Sequence, residues 1–213
     1  MPKARTTEGP GHVSRRGFIQ SAGVGAAGAT LGGVAAAQTR DAAPVGPGAV
    51  PIRFTLNGQD REARVEPRQT LAGLLRDQLE MTGTKVVCNR GACSACSVTL
   101  NGRQVASCSV LALDADGGEV GTVEGLSDGF TLTALQAAFV RNDAQMCGMC
   151  TPGFVQNAEA LLRENPKPTL DEVKTALSGN LCRCGTYPKV FAAVMDASGQ
   201  AEPQDGTDVL VQA

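Results

Sequence analysis

The residues of this chain best suited to chemistry are its cysteines, because all eight fall into two sets of four with none left over. The first set, Cys88, Cys93, Cys96 and Cys108, is spaced C-x4-C-x2-C-x11-C. The second is Cys147 and Cys150, then 31 residues, then Cys182 and Cys184. Thiolates so grouped bind soft metals, and the first spacing is the plant-type pattern for a [2Fe–2S] cluster. Three thiolates wrap one face of an anionic cluster from a single tight loop, and the fourth arrives from an adjacent strand. Gly91 gives such a loop its backbone freedom. Loop amides can then point at sulfur and raise the reduction potential. Arg90 either adds positive charge there or is an ordinary solvated side chain.

In the second set each cysteine pair precedes an expected helix start. Pro152 and Pro188 take first-turn positions, where the missing N–H costs nothing. Two helix N-termini would therefore converge, placing positive potential where a tetrathiolate cluster carries negative charge; Arg183 lies between the last two ligands. Two other readings of the cysteines exist. An exported chain with an even count could form four disulfides, and tetrathiolate zinc also uses C-x2-C pairs. Against both stand the x4-x2 loop and the short C-x2-C and C-x-C pairs set beside glycine. The sole histidine, His12, lies near the N-terminus and no carboxylates are paired. The sequence thus offers no acid–base centre of its own.

These cysteines need elements to position them. Ile52, Phe54 and Leu56 alternate with polar residues up to Asn57-Gly58, and Arg61 to Glu66 follows, predicting a hairpin. Leu71, Leu74, Leu75 and Leu79 define one helical face closing near Gly83. After the cysteine loop, Val98 to Leu100, Asn101-Gly102 and Gln104 to Cys108 predict a second hairpin, and Gly121 to Glu124 a last short strand. From Gly129 the period is helical. Helices are predicted over Thr131 to Arg141, Gly153 to Arg163, from Thr169 with Glu172 completing a capping box, and from Pro188 to Asp196. The fold class is α+β, with a mixed domain at 51–128, a four-helix bundle at 129–197 and a tail at 198–213.

A net charge of −2 and the absence of a basic stripe beyond the first residues argue against a nucleic-acid partner. Residues 1–37 read as a cleavable export signal. Lys3, Arg5, Arg15 and Arg16 precede a glycine-containing apolar stretch ending in Ala35-Ala36-Ala37, richer in glycine than a strongly apolar membrane span; a basic tail or a retained membrane anchor are the other readings. Ser14-Arg15-Arg16-Gly17-Phe18-Ile19 looks like a twin-arginine signal, an address for folded export to the periplasm. Folded export suits a chain whose metal cofactor is inserted in the cytoplasm. Residues 38–50 have the composition of a linker.

Three stretches together resemble the small iron–sulfur subunit of the xanthine oxidase family of molybdenum hydroxylases. They are Cys88-Asn89-Arg90-Gly91-Ala92-Cys93-Ser94-Ala95-Cys96, Cys147-Gly148-Met149-Cys150-Thr151-Pro152-Gly153-Phe154, and Gly179-Asn180-Leu181-Cys182-Arg183-Cys184-Gly185-Thr186-Tyr187-Pro188. The resemblance spans 51–197 and implies a plant-ferredoxin-like β-grasp followed by the bundle, each holding one [2Fe–2S] cluster. It also implies a large partner subunit with a molybdopterin cofactor, and either an FAD-binding subunit or a cytochrome as acceptor. Electrons would pass from the pterin side to the bundle cluster and then to the ferredoxin-type cluster. With its leader, the chain most resembles the periplasmic aldehyde oxidoreductases, which points to an aldehyde substrate ahead of N-heterocycles and purines. Two positions depart from the family: Ser94 stands where Gly is common, and Met146 where a pterin-contacting Gln is common, with Gln145 one residue earlier.

Overall fold

The computed structural model describes residues 46–200, which fall in one compact unit, Val45–Ala213. The export signal, most of the predicted linker and the tail beyond 200 lie outside the described residues. Strand β1 (Val50–Leu56) pairs antiparallel with β2 (Gln59–Val65). Asn57 and Gly58 form the turn at φ 51° and 76°, the positive pair that Asn-Gly tolerates best. Strands β3 (Ser97–Leu100) and β4 (Arg103–Ala106) repeat the device with Asn101 and Gly102 at φ 51° and 77°. Strand β5 (Glu119–Gly121) joins the two hairpins, parallel to β1 and antiparallel to β3, in the order β2-β1-β5-β3-β4. The result is a five-stranded mixed sheet.

Between the hairpins lies α1, which starts as an α-helix at Leu71–Gly73 and continues as a π-helical turn over Leu74–Gln78. Leu71, Leu74 and Leu75 are fully buried against Ile52, Phe54, Val98 and Val120. Each such leucine contributes roughly 1.5–3 kcal/mol. The helix stops short of the predicted Gly83: Leu79 N–H reaches back to Leu74 C=O, and Glu80 takes φ 57°.

Two strand boundaries also differ from expectation. The last strand ends at Gly121 because the Asn57 side chain captures Thr122, accepting from its N–H at 2.8 Å and donating to its hydroxyl at 2.9 Å. Residues Val123–Leu126 then wind into a 3-10 turn. Cys108 is not on a strand but in the 3-10 turn Ser107–Ser109. There the Ser107 hydroxyl donates to the Cys96 carbonyl at 2.7 Å.

The second half is helical: α2 (Ala134–Arg141), α3 (Thr151–Glu164), α4 (Leu170–Ala176) and α5 (Tyr187–Ala197). Helix α2 starts later than predicted, since Asp128 accepts from the N–H groups of Phe130 and Thr131 and holds them in a turn. Thr133 and Gln136 form its capping box. The predicted Thr169/Glu172 box opens α4. Helix α3 starts two residues earlier than predicted, with Pro152 in its first turn, and Pro188 lies in the first turn of α5. Leu135, Phe139, Phe154, Val173, Leu177, Val190 and Val194 share the core of these helices. No described helix is long and apolar enough to cross a membrane.

Candidate cluster-binding sites

The loop carrying Cys88, Cys93 and Cys96 coils tightly because Asn89, Gly91 and Ser94 take φ 52°, 69° and 55°. This turns successive N–H groups inward, the arrangement that makes a nest for anions. Gly91 N–H donates to Cys108 Sγ at 3.2 Å, and Ala92 N–H to Cys88 Sγ at 3.4 Å. The Arg90 amide, the Cys93 thiol and the Ala92 amide together lower the Cys88 thiol to about 7. Burial pushes Cys96 upward. The Arg90 guanidinium faces the Cys88 carbonyl at 3.4 Å rather than a sulfur, and stays exposed. Of the four predicted ligands, Cys93, Cys96 and Cys108 are buried and Cys88 is half-buried.

Helices α3 and α5 both begin at the second set. Cys150 occupies the N-cap of α3, and Cys182 and Cys184 immediately precede α5. Gly148 and Gly185 each follow an outer cysteine and each take φ 81°, so the two approaches mirror one another. Burial and the neighbouring Cys182 push the Cys150 thiol up to about 12. Burial also acts against the Cys182 thiolate. The Thr186 hydroxyl and amide, the Cys150 thiol and the Gly185 amide outweigh it and bring Cys182 to about 7. The Cys182 amide donates to the Tyr187 hydroxyl at 2.8 Å, and the Tyr187 ring stands edge-on to Phe154 at 5.9 Å. Cys182 is buried and Cys150 half-buried, whereas Cys147 and Cys184 are exposed. Met146, Met149 and Leu181 are exposed too, at 67%, 44% and 55%. Gln145 is exposed beside Gly148.

Within each set the thiols are close enough to act on one another: Cys88 with Cys93 and Cys96 with Cys108 in the first, and Cys147 with both Cys184 and Cys182, and Cys150 with both Cys182 and Cys147, in the second. All eight thiols are free. Among the described residues no group of three or more His, Cys, Asp or Glu closes on a point that would hold a single metal ion. Four soft donors gathered in each set, with amides aimed at sulfur, are the donor chemistry that a [2Fe–2S] cluster would use.

The two sites touch. Leu181 N–H donates to the Cys93 carbonyl at 3.1 Å. A Cβ on Gly153 of α3 would collide with the Ser94 carbonyl oxygen, with Ala95 Cα only 3.0 Å away, so only glycine lets this helix lie on the loop. The main-chain carbonyl of Gln156, 3% exposed, accepts from the Gln104 side chain at 3.0 Å, and its side-chain amide donates to Gly121 C=O at 3.3 Å. Sequence reasoning missed Gln156, Thr186 and Tyr187. A polar residue between the apolar positions of α3 was the available sign of the first; nothing in the spacing marked the other two.

The sequence matches the "2Fe-2S iron-sulfur cluster binding domain" family over residues 54–127 and the "[2Fe-2S] binding domain" family over 122–195. It is 47% identical over 157 residues to the nicotine 6-hydroxylase small subunit of Paenarthrobacter nicotinovorans, covering 74% of this chain and 94% of that one. It is 36% identical over 204 residues to the aldehyde oxidoreductase iron-sulfur-binding subunit PaoA of Escherichia coli O157:H7, covering 88% and 89%. The crystal structure of quinoline 2-oxidoreductase from Pseudomonas putida 86 superposes with a TM-score of 0.69 at 42% identity, over 71% of this chain and 94% of that chain. Two successive 2Fe-2S binding domains therefore lie on one short chain. With relatives of matching length and order, the chain belongs to the small [2Fe–2S] iron–sulfur subunits of the xanthine oxidase family of molybdenum hydroxylases.

Proposed function

We propose that this chain conducts electrons out of a molybdenum hydroxylase, from a molybdopterin centre in a large partner subunit towards FAD or a cytochrome. Cys88, Cys93, Cys96 and Cys108 hold the acceptor-side cluster, and Cys147, Cys150, Cys182 and Cys184 hold the molybdenum-side cluster. A bound [2Fe–2S] cluster supplies one-electron redox chemistry. The chain's own residues orient the sulfurs, donate amides to them, and keep the inner thiolates from water. The single observation that carries the reading is the Leu181-to-Cys93 hydrogen bond at 3.1 Å, which places backbone flanking one four-thiol set directly on a ligand of the other.

Direction rests on exposure. The outer thiols Cys147 and Cys184 sit among the exposed Met146, Met149 and Leu181, the kind of apolar surface that a partner subunit covers. The two separate cores support division into a β-grasp domain at 51–128 and a four-helix bundle at 129–197. An aldehyde is the proposed substrate and the periplasm the proposed location. Both are supported by the 204-residue match to the aldehyde oxidoreductase subunit, which covers 88% of this chain. The test is low-temperature EPR of the dithionite-reduced complex with iron and sulfide assays. Two distinct signals and about four iron and four sulfide per chain are expected; stoichiometric zinc with neither signal overturns the reading.

A further inference from the structure

We infer that the hydroxyl of Thr186 sets the reduction potential of the molybdenum-side site by donating a hydrogen bond to Cys182 Sγ. The inference rests on the proposed role of Cys182 as a ligand. Thr186 is 5% exposed, and its Oγ1 lies 3.1 Å from Cys182 Sγ. A second observation points the same way. Thr186 occupies the N-cap of α5, where a threonine ordinarily accepts from an amide of the first turn, yet its side chain makes no such bond. The hydroxyl forgoes the cap and turns to sulfur.

The sign follows from charge. A metal-bound thiolate has no proton to give, so the hydroxyl is the donor. Donation stabilises the extra negative charge of the reduced state more than that of the oxidised state, and so raises the potential. The amide of Cys182 itself is taken by the Tyr187 hydroxyl at 2.8 Å, so the Thr186 hydroxyl acts on the sulfur beside the Gly185 and Thr186 amides. At the other site Ser109 Oγ lies 3.6 Å from Cys108 Sγ on an exposed residue, and the buried Ser107 hydroxyl faces Cys96 while donating to its carbonyl at 2.7 Å.

The experiment is an EPR-monitored redox titration of the intact complex carrying Thr186→Val, Thr186→Ala or Thr186→Ser. With Val or Ala, the midpoint potential of one of the two signals falls while that of the other stays at its wild-type value. Thr186→Ser restores the wild-type potential. If Val prevents cluster assembly, Ala decides by the same criterion. Both midpoints unchanged, or both shifted alike, overturns the role of Thr186 while leaving the ligands in place. A wild-type complex that shows only one signal overturns the ligand reading and this inference with it.

Discussion

Leu181 N–H and the Cys93 carbonyl meet at 3.1 Å, so a residue adjacent to one proposed ligand hydrogen-bonds to another proposed ligand. A hydrogen bond couples electronically far better than a through-space gap of the same length. Leu181→Pro removes the donor while Leu181→Ala keeps it. We expect the proline variant to reduce one cluster normally and to pass the electron to the other markedly more slowly, with both EPR signals retained. Rapid-reduction kinetics on the two signals makes the measurement; equal rates in wild type, alanine and proline variants would remove this bond from the route. The lost bond itself costs about 1 kcal/mol of stability.

Ser94 sits in the left-handed region at φ 55°, where an L side chain is strained by about 1 kcal/mol. Its carbonyl anchors the loop, accepting from the Ser97 hydroxyl at 2.9 Å. Its own hydroxyl adds no comparable bond. The loop holds this course with a serine and bears the strain. Ser94→Gly should raise stability by about 0.5–1 kcal/mol, read as a higher unfolding midpoint with unchanged iron content.

Gly153 is the opposite case. An added methyl meets the Ser94 carbonyl and Ala95 Cα, both backbone atoms that cannot rotate away. Gly153→Ala should therefore lift α3 off the loop, at a cost of about 3 kcal/mol. Iron and sulfide content should fall at both sites together, because the same contact supports the loop of one and the helix start of the other. Loss confined to one site would show that the two are mechanically independent.

What was legible from sequence was local. The cysteine spacings, the turns at Asn57-Gly58 and Asn101-Gly102, the first-turn prolines and the Thr169/Glu172 box are all written within a few residues of each other, where steric and hydrogen-bonding rules act alone. The leucines of α1 marked a helical face but could not reveal that Leu79 bonds back to Leu74, because a π-helical turn keeps the same residues buried. Nor does spacing say which thiols neighbour which. The contacts of Gly153 with Ser94, and of Leu181 with Cys93, join segments remote in the chain. Nor could spacing show that the Thr186 hydroxyl lies 3.1 Å from Cys182 Sγ.

Arg15 and Arg16 carry the export proposal, since the twin-arginine route reads that pair as an address. Replacing both by Lys keeps the charge and removes the signal. Cluster-loaded protein should then accumulate in the cytoplasm, measured by iron content and immunoblotting of cell fractions. Undiminished periplasmic delivery would mean that the leader was misread.

Glu172 links stability to pH. The Thr169 amide, the Thr169 hydroxyl and the Asn165 side chain hold its carboxyl below the ordinary carboxylate value. The Thr169 amide approaches at 2.7 Å. A carboxyl whose folded value is depressed stabilises the fold fully above its unfolded value, about 4.3, and loses that contribution as pH falls through the folded value. Acid should therefore loosen α4 from its first turn. Thr169→Ala removes the hydroxyl half of the box and should cost about 1 kcal/mol at neutral pH. It should also flatten the dependence of unfolding free energy on pH below the unfolded value, because one donor to Glu172 is gone. Denaturant titrations of both proteins at neutral pH and along the acid limb separate the two effects. A cost that stays constant into acid would assign it to the cap hydroxyl alone and leave Glu172 without a part in it.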